Sequence, residues 1–476
     1  MKRASGVLLP LFSLPGGFSC GSLGKAARAW IDAIRDAGFS VWQILPVGIP
    51  DAHHSPYLSA SSFGGNPFYL DLELLFEEGL LSREELESAR EESPYLCEYN
   101  RLNRERLALL CRAAGRVADR GPVERFIREN PRIGDTCLFL ALKEKNGGLP
   151  WWEWTEKTPD EAALFAWQWM QYEFARQWEA LHDYAKAAGV SILGDLPFYV
   201  ALDSADVWRD PAQFQLDRKG RPKAVAGVPP DYFSADGQLW GNPLYDWAHM
   251  KRDGYSYWRE RAVYAFSLYD ALRIDHFRAA AAYWSVPAGA ETAREGHWET
   301  GPGMAFCRML DEAGGGKPVL AENLGLIDEK VDSLLSEAGY PGMAVFQFGF
   351  DGDPKNPHLP HNYTPHLAAY PGTHDNNTLL GFLWELDEGT RARVFEYLGL
   401  PADDWGRNCR EILRALWMSA AGLLILPLPD LLGYGADTRF NTPGRAEGNW
   451  RVRFTAEQIA SIDTALFRRW NTLYNR

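Results

Sequence analysis

A helix-and-strand unit at residues 174–196, with the sequence FARQWEALHDYAKAAGVSILGDL, decides the fold. One side of the helical part carries an apolar row at helical spacing: Phe174, Trp178, Leu181, Ala185 and Ala188. Gly189 follows this row as a helix terminator, and residues 190–196 have the apolar character of a buried strand. The change from helical spacing of apolar residues to a continuous apolar run predicts a helix that packs back onto a strand of a parallel sheet.

The same alternation recurs along the chain. A helix with the apolar row Ala27, Trp30, Ile31 and Ile34 follows an opening strand, and we expect Ser22 as its N-cap and Gly38 as its end. Further strands are predicted at 41–47, 190–196, 272–277, 319–324, 343–348, 367–373 and 423–428. About eight strands separated by helices or loops favour an α/β fold of the (β/α)8 TIM-barrel type over an open sheet.

The length fits one such barrel with insertions. The chain has 476 residues, of which 46% are hydrophobic and 24% charged, as in ordinary globular proteins. We expect a single catalytic domain over 1–476. A charged, helix-rich insertion is expected at about 71–160, and an active-site loop rich in Pro, Gly, Asp and aromatic residues at about 197–247.

Charge and composition exclude several partners. The net charge of −14 has no basic stripe, so a nucleic-acid partner is not expected. No window approaches 18 apolar residues, which predicts no membrane span, and prolines and glycines interrupt the apolar N-terminal run before it could form a signal peptide. The six cysteines form no C-x-x-C pair, which favours a reducing, cytoplasmic location.

The most informative hexapeptide is Arg273-Ile274-Asp275-His276-Phe277-Arg278, at the end of a predicted strand. Arg273 and Asp275 are two residues apart, so their side chains share one face of the strand. A neighbouring guanidinium would hold the Asp275 carboxylate ionised, as a nucleophile requires. A strand-end salt bridge explains the hexapeptide equally well.

Two further acids follow apolar strands. Glu322 lies in Ala321-Glu322-Asn323-Leu324-Gly325, where burial at a barrel mouth would raise its pKa and suit a general acid. Asp375 follows His374 in the run GTHDNNT at 372–378. Catalytic groups gather at the C-terminal ends of barrel strands, and pairs of carboxyl groups are what cleavage of a glycosidic bond requires.

Competing motifs are weaker. Gly17-Phe18-Ser19-Cys20-Gly21 matches G-x-S-x-G, but a nucleophile elbow rarely lies at the extreme N-terminus. The GGGK run at 314–317 lacks the spacing and the Ser/Thr of a P-loop and is interpreted as a turn. His358, His361 and His366 lie in a proline-rich loop without further ligands, so neither a metal nor a cofactor is expected.

Together these stretches resemble the 4-alpha-glucanotransferase family, and the resemblance extends from Ser55-Pro56-Tyr57 to Asn441-Thr442-Pro443-Gly444. The most specific motifs are GDLP at 194–197, GVPPDYFS at 227–234, WGNPLY at 240–245, RIDHFR at 273–278, ENLG at 322–325, PGM at 341–343 and HDNNT at 374–378. The resemblance covers nearly the whole chain.

The resemblance implies an enzyme that moves alpha-1,4-glucan segments between malto-oligosaccharides by a retaining mechanism. Asp275 would be the nucleophile, Glu322 the general acid and then base, and Asp375 a stabiliser of the transition state. It also implies a set of residues that bind glucan or support the carboxylates: Ser55, Tyr57, Asp195, Pro230, Trp240, Arg273, Asn323, His374 and Asn376. The loop around Pro230 would arch over the cleft and exclude water from the intermediate.

Three other functions remain open from sequence. The first is an amylase-like hydrolase with the same site, against which the long aromatic loop argues. The second is a glucan-binding scaffold without turnover, against which the three acids argue. The third is a serine hydrolase that uses Ser19.

Overall fold

The computed structural model describes residues 3–51, 53–230, 235–445 and 447–476. Twelve strands lie in this part of the chain: β1 (Ala4–Leu8), β2 (Val41–Gln43), β3 (Ser191–Leu196), β4 (Ala224–Val228), β5 (Gln238–Pro243), β6 (Ala271–Ile274), β7 (Ala282–Pro287), β8 (His297–Thr300), β9 (Val319–Ala321), β10 (Gly342–Val345), β11 (Leu367–Tyr370) and β12 (Leu423–Pro427). They form an eight-stranded sheet and a four-stranded sheet.

The eight-stranded sheet is the predicted barrel. Its strands are all parallel, in the order β10-β11-β12-β1-β2-β3-β6-β9. The ring closes between β9 and β10, where the backbone N–H of Ala321 donates to the Pro341 carbonyl at 2.9 Å. Side chains and helices cover both faces of the sheet, as expected for parallel strands, and the (β/α)8 fold is confirmed.

The helices surround and extend this barrel. The α-helical segments are α1 (Lys25–Asp36), α2 (Leu72–Glu77), α3 (Arg83–Ser88), α4 (Tyr99–Arg101), α5 (Leu107–Gly115), α6 (Gly121–Glu129), α7 (Pro131–Lys145), α8 (Glu161–Ala187), α9 (Ala205–Arg209), α10 (Trp247–Arg252), α11 (Ser256–Leu268), α12 (Met304–Gly314), α13 (Glu329–Ala338), α14 (Leu379–Glu385), α15 (Glu388–Leu398), α16 (Trp405–Met418), α17 (Leu428–Leu432), α18 (Ala456–Ala460) and α19 (Thr464–Leu473). A π-helical turn at Leu102–Arg106 joins α4 to α5. Among the described residues, no helix is long and apolar enough to cross a membrane.

The predicted helix faces are confirmed. The row Ala27, Trp30, Ile31 and Ile34 is the buried side of α1, and four of the five residues of the α8 row are buried. The predicted cap of α1 is wrong, because the N-cap is Gly24 and the Ser22 hydroxyl instead donates to Asp71 Oδ2 at 2.9 Å. Because the helix begins at Lys25, Ser22 lies two residues before the N-cap position.

Most of the predicted barrel strands extend too far at their C-terminal ends. The strand predicted at 272–277 ends at Ile274, and the one predicted at 319–324 ends at Ala321. The run predicted at 343–348 passes after Val345 into a 3-10 turn, Phe346–Phe348. Apolar residues continue beyond the last ladder bond because the mouth of the barrel is itself buried by loops, so hydrophobicity does not mark the end of a strand there.

The four-stranded sheet was not predicted. It is antiparallel, in the order β5-β4-β7-β8, and joins residues 224–243 to residues 282–300. Its strands are short and three of the four contain Gly or Pro, which are weak strand formers, so neither the alternation of apolar residues nor strand propensity identified them. Residues 197–247 therefore hold α9, β4 and β5, and residues 71–160 hold α2 to α7.

Candidate active site

An ion-pair network joins the ends of β3 and β6. Arg273 Nη1 donates to both carboxylate oxygens of Asp195 at 2.7 Å, and the same nitrogen lies 3.0 Å from Asp275 Oδ1. Asp195 and Arg273 face each other in the parallel register, so the fold itself brings the pair together. Both side chains are almost fully buried, whereas that of Asp275 is 28% exposed and accessible from the barrel mouth.

This network changes the expected acidity of Asp275. Burial raises the pKa of Asp275 to about 7, because the lowering by Arg273 is opposed by the charges of Asp195 and Glu322. Arg273 lowers the pKa of Asp275 in the expected direction, but burial raises it by more. The guanidinium charge is already shared with Asp195, which the hexapeptide could not reveal.

Glu322 is the first residue after β9 and lies next to Asp275. Its Oε2 accepts the backbone N–H of His276 at 2.7 Å, and its Oε1 accepts the backbone N–H of Leu324 at 2.9 Å. His276 adopts a left-handed φ of 50°, an uncommon conformation that turns this N–H toward Glu322. Burial raises the pKa of Glu322 despite Arg273 and these donors, in the direction predicted.

Asp375 has the opposite electrostatic environment. His374 Nε2 lies 3.2 Å from Asp375 Oδ2, and Asn441 Nδ2 donates to Asp375 Oδ1 at 2.6 Å. Burial alone would raise the pKa of Asp375, but His374 and Asn441 outweigh it and lower the pKa to about 2. The pKa of His374 is raised in turn, because the nearby carboxylate outweighs its burial.

Tyr57 lies between the ion pairs around Arg273 and the His374–Asp375 pair. Its hydroxyl donates to Asp195 Oδ2 at 2.8 Å and lies 3.5 Å from His374 Nδ1, and its ring stacks on His374 with centroids 5.1 Å apart. A chain of contacts therefore runs from Asp275 to Asp375 across the mouth of the barrel. Residues far apart in sequence are held in one site because parallel strands deliver their C-terminal ends to the same edge.

The other predicted binding residues take different positions. Trp240, half-buried, meets the His276 ring edge to face at 4.7 Å, and Ser55 Oγ accepts the Tyr57 N–H at 3.3 Å. Asn376 Oδ1 accepts from the backbone and the hydroxyl of Thr373 at 2.9 Å. Trp240 therefore contacts the residue that follows Asp275, while Ser55 and Asn376 shape the loops that carry Tyr57 and Asp375.

Asn323 and Pro230 have other surroundings. Asn323 Oδ1 accepts the Met343 N–H at 2.7 Å and thereby helps to close the barrel between β9 and β10. A β-carbon on Gly342 would lie 2.7 Å from this oxygen, so the close approach requires glycine. Pro230 is exposed after β4, and residues 231–234 of the same motif are outside the described residues.

Sequence reasoning missed two neighbours of the site, Asn441 and Trp450. Asn441 binds Asp375, and the Trp450 ring contacts both Tyr57 and His374 at centroid distances of 5.8 and 5.9 Å. Both residues lie in an irregular segment near the C-terminus. The motif that begins at Asn441 was the only sequence signal available, since a single asparagine or tryptophan does not by itself indicate a catalytic role.

The competing motifs form no second catalytic site. Ser19 is buried and its hydroxyl donates to Glu98, and among the described residues no histidine is a hydrogen-bond partner of it. His358 Nδ1 accepts the Val345 N–H at 3.1 Å, which is a structural role. Gly315 and Gly316 have positive φ and form a turn. The described residues contain no group of three or more His, Cys, Asp or Glu that could hold a metal ion.

Comparison with known proteins identifies the family of this chain. The family model described as 4-alpha-glucanotransferase, glycoside hydrolase family 77, matches residues 9–458. The chain is 40% identical to a 4-alpha-glucanotransferase of Thermus thermophilus over 98% of each chain. It is 39% identical to one of a Synechocystis strain over 96% of this chain and 95% of the relative.

A solved structure is also similar over its full length. The amylomaltase from Streptococcus agalactiae in complex with acarbose superposes with a TM-score of 0.95 at 35% identity, with 100% of both chains covered. A family model across most of the chain, relatives near 40% identity and a matching fold all agree. This chain belongs to the 4-alpha-glucanotransferase family of amylomaltases and disproportionating enzymes.

Proposed function

We propose that this enzyme moves alpha-1,4-glucan segments between malto-oligosaccharides by a retaining double displacement in which Asp275, Glu322 and Asp375 are the catalytic residues. The observation that carries the proposal is the convergence of these three acids, from three strand ends, on one network that contains a single buried guanidinium. A binding scaffold has no need for two carboxyl groups of raised pKa side by side.

In the first step, an ionised Asp275 oxygen attacks the anomeric carbon of the donor and the glycosidic bond breaks. Glu322 transfers its proton to the departing oxygen, which leaves as a 4-hydroxyl, and a covalent glucosyl-Asp275 ester remains. In the second step, Glu322 takes the proton of an acceptor 4-hydroxyl as that oxygen displaces Asp275. Two inversions restore the alpha configuration, and Glu322 ends protonated as it began.

The protonation states required for the first step follow from the electrostatics. Asp275 and Glu322 cannot both be ionised easily, because each raises the free energy of the other's charge in a buried site. The productive state has one proton, and it lies on Glu322. Arg273, at 3.0 Å from Asp275, stabilises this arrangement over the reverse one.

Asp375 serves a different purpose. Its low pKa keeps it ionised at every working pH, so it can accept hydrogen bonds from sugar hydroxyls and stabilise the positive charge that develops in the transition state. His374 and Tyr57 hold the binding edge of the donor sugar beside it. Asp195, Arg273, Ser55 and Asn376 support these groups, and Asn323 and Pro230 complete the proposed glucan-binding set.

Transfer rather than hydrolysis requires an acceptor platform and exclusion of water. Trp240, next to His276, presents an aromatic surface on the second sheet, and such surfaces suit the apolar faces of sugar rings.

We interpret residues 1–476 as one catalytic domain, with the helical insertion at about 71–160 and the active-site loop at about 197–247. We also propose that the enzyme works in the cytoplasm.

Incubation with maltotriose and separation of products by length tests the activity. We expect glucose together with chains longer than three units, because hydrolysis cannot lengthen a chain. Only shorter sugars, or unchanged maltotriose, would contradict transfer.

A second experiment tests the residue roles. Glu322→Gln, given an alpha-maltosyl fluoride donor whose leaving group needs no proton, should accumulate an adduct. Peptide mass analysis should locate this adduct on Asp275, and an adduct elsewhere would reject the nucleophile.

A further inference from the structure

A large cavity lies apart from the catalytic network, where the segment after α7 meets the second sheet. Its volume is about 960 Å³, within the roughly 300–1,000 Å³ typical of ligand pockets. Its aromatic lining consists of Trp151, Trp152, Trp247 and Tyr283. Among the described residues, its lining shares no member with the active site above. We propose that this cavity is a second binding site for alpha-1,4-glucan chains, which rests on the proposed function.

The chemistry of the lining fits a neutral polyhydroxylated chain. Aromatic rings offer flat apolar faces, and between them lie side chains that can exchange hydrogen bonds with hydroxyl groups: Gln215, Asp217, Lys219, Asp246, Glu299 and Thr300. The lining mixes cationic side chains with carboxylates, so its charge favours neither an anionic nor a cationic ligand. Pockets that combine apolar walls with a few polar groups are typical of small-molecule sites.

Trp152 is one of the aromatic residues that wall the cavity. Its indole N–H is buried, yet it has no hydrogen-bond partner in the described part of the chain. The ring meets Trp151 edge to face at 5.5 Å, and the Arg221 guanidinium lies 5.4 Å from its centroid. Because this N–H is shielded from solvent, the ring carbons of Trp152 form its contribution to the cavity wall and would contact the apolar face of a sugar.

A row of aromatic side chains separates this cavity from the catalytic carboxylates. Trp247 contacts Tyr245 at 5.0 Å, Tyr245 stacks near Tyr199 at 6.1 Å, and Tyr199 contacts Trp240 at 6.2 Å, beside His276. The cavity is thereby connected through packed aromatic rings to Trp240 in β5. A long chain held in the cavity would keep its other segments at a high local concentration near the cleft.

This arrangement predicts a dependence on substrate length. A chain long enough to reach both sites gains from the second contact, whereas maltotriose at the catalytic centre does not. The measured quantity is the ratio of kcat/KM for soluble amylose to that for maltotriose. Trp152→Ala should lower this ratio about tenfold, while maltotriose transfer stays within twofold of the parent enzyme.

Trp405 provides a matched control. It is also a half-buried tryptophan, edge to face with another tryptophan, Trp384, at 5.3 Å and with the Arg391 guanidinium 5.0 Å from its ring. It does not line the cavity. Trp405→Ala should leave the ratio unchanged. An unchanged ratio in Trp152→Ala, or an equal fall in both variants, would overturn the proposal.

A second variant tests the cavity without removing a packed ring. Ala248 is exposed on α10 and lines the cavity, so Ala248→Arg fills the space and costs no core contact. It should lower the same ratio about tenfold, and a normal ratio in this variant would reject the site even if Trp152→Ala failed to fold. Absence of maltotriose transfer in the parent enzyme would instead reject the proposed function, so the two failures are distinguishable.

Discussion

Asp275 and Asp375 are the same residue type at the same end of the barrel, yet their acidities move in opposite directions. Burial raises the pKa of Asp275 to about 7, whereas His374 and Asn441 lower that of Asp375 to about 2. The difference lies in how the nearest cation is used. Arg273 is shared with Asp195, so its charge only partly offsets the burial of Asp275. The acidity of an aspartate at a strand end therefore depends on whether the nearest cation is also bound to another carboxylate.

The largest expected effect is on turnover. Asp275→Asn should lower kcat by at least about 10⁴-fold, because it removes the atom that forms the glucosyl ester. Glucan binding should change little, since a neutral amide keeps the shape of the side chain. Kinetics on maltotriose together with calorimetric titration of maltoheptaose separate the two quantities. Activity near that of the parent would show that the nucleophile is another residue.

The same variant should gain stability relative to the parent as the pH rises. Asp275 has a folded pKa of about 7 against about 3.9 when unfolded, so the folded chain binds more protons between these values and the parent loses stability through this window. Asp275→Asn does not lose stability in this way, because its amide does not titrate. Its free energy of unfolding relative to the parent should rise by about 2 to 3 kcal/mol from pH 5 to pH 8, measured by urea denaturation.

Asp375→Asn is the matched control for that pH series. The pKa of Asp375 is lowered to about 2, so the stability it contributes is present above about pH 4 and is lost only as the pH falls further. Its removal should destabilise the protein at both pH 5 and pH 8, and more at pH 5, because charged His374 then loses the carboxylate that raises its pKa. At pH 8 Asp375→Asn should therefore be less stable than the parent and Asp275→Asn more stable, and a change of the same sign in both variants would contradict the opposite electrostatic environments.

A smaller effect is expected at Asn441, which we interpret as a positioning residue. Loss of its 2.6 Å hydrogen bond in Asn441→Ala should lower kcat about tenfold with little change in KM, since a hydrogen bond to a charged group contributes about 1.5–3 kcal/mol before exposure weakens it. Asn441→Asp puts a second carboxylate beside Asp375, raises its pKa and should add an acid limb to the pH–rate profile. Identical profiles for both variants would mean that Asn441 only maintains the loop.

The smallest effect is expected on the acceptor side. Trp240→Ala removes an aromatic surface but no ion pair, so we expect KM for maltotriose to rise about tenfold, equivalent to about 1.4 kcal/mol, with kcat less affected. The ratio of transfer to hydrolysis should fall as well, because water enters more easily. Unaltered kinetics would remove Trp240 from the acceptor region, and the Trp405→Ala control excludes a general effect of losing a tryptophan.

The sequence alone was sufficient to predict the barrel and to place the three acids beyond the ends of its strands. Helix faces such as that of α8 follow from the period of 3.6, and parallel strands from apolar runs between helices, because burial selects residues at regular intervals. Asp275 and Glu322 could be identified because each lies one residue beyond a strand, where a carboxyl group is costly unless it has a function.

Only the tertiary structure decided how these groups are tuned and what surrounds them. The sharing of Arg273 with Asp195, the bond from Asn441 to Asp375 and the closure of the barrel by Asn323 all join residues that are distant in sequence. The second sheet and the cavity beside Trp152 likewise arise from pairings between separate segments. Local patterns report burial, whereas acidity and binding depend on which charges and rings the folded chain brings within a few ångströms.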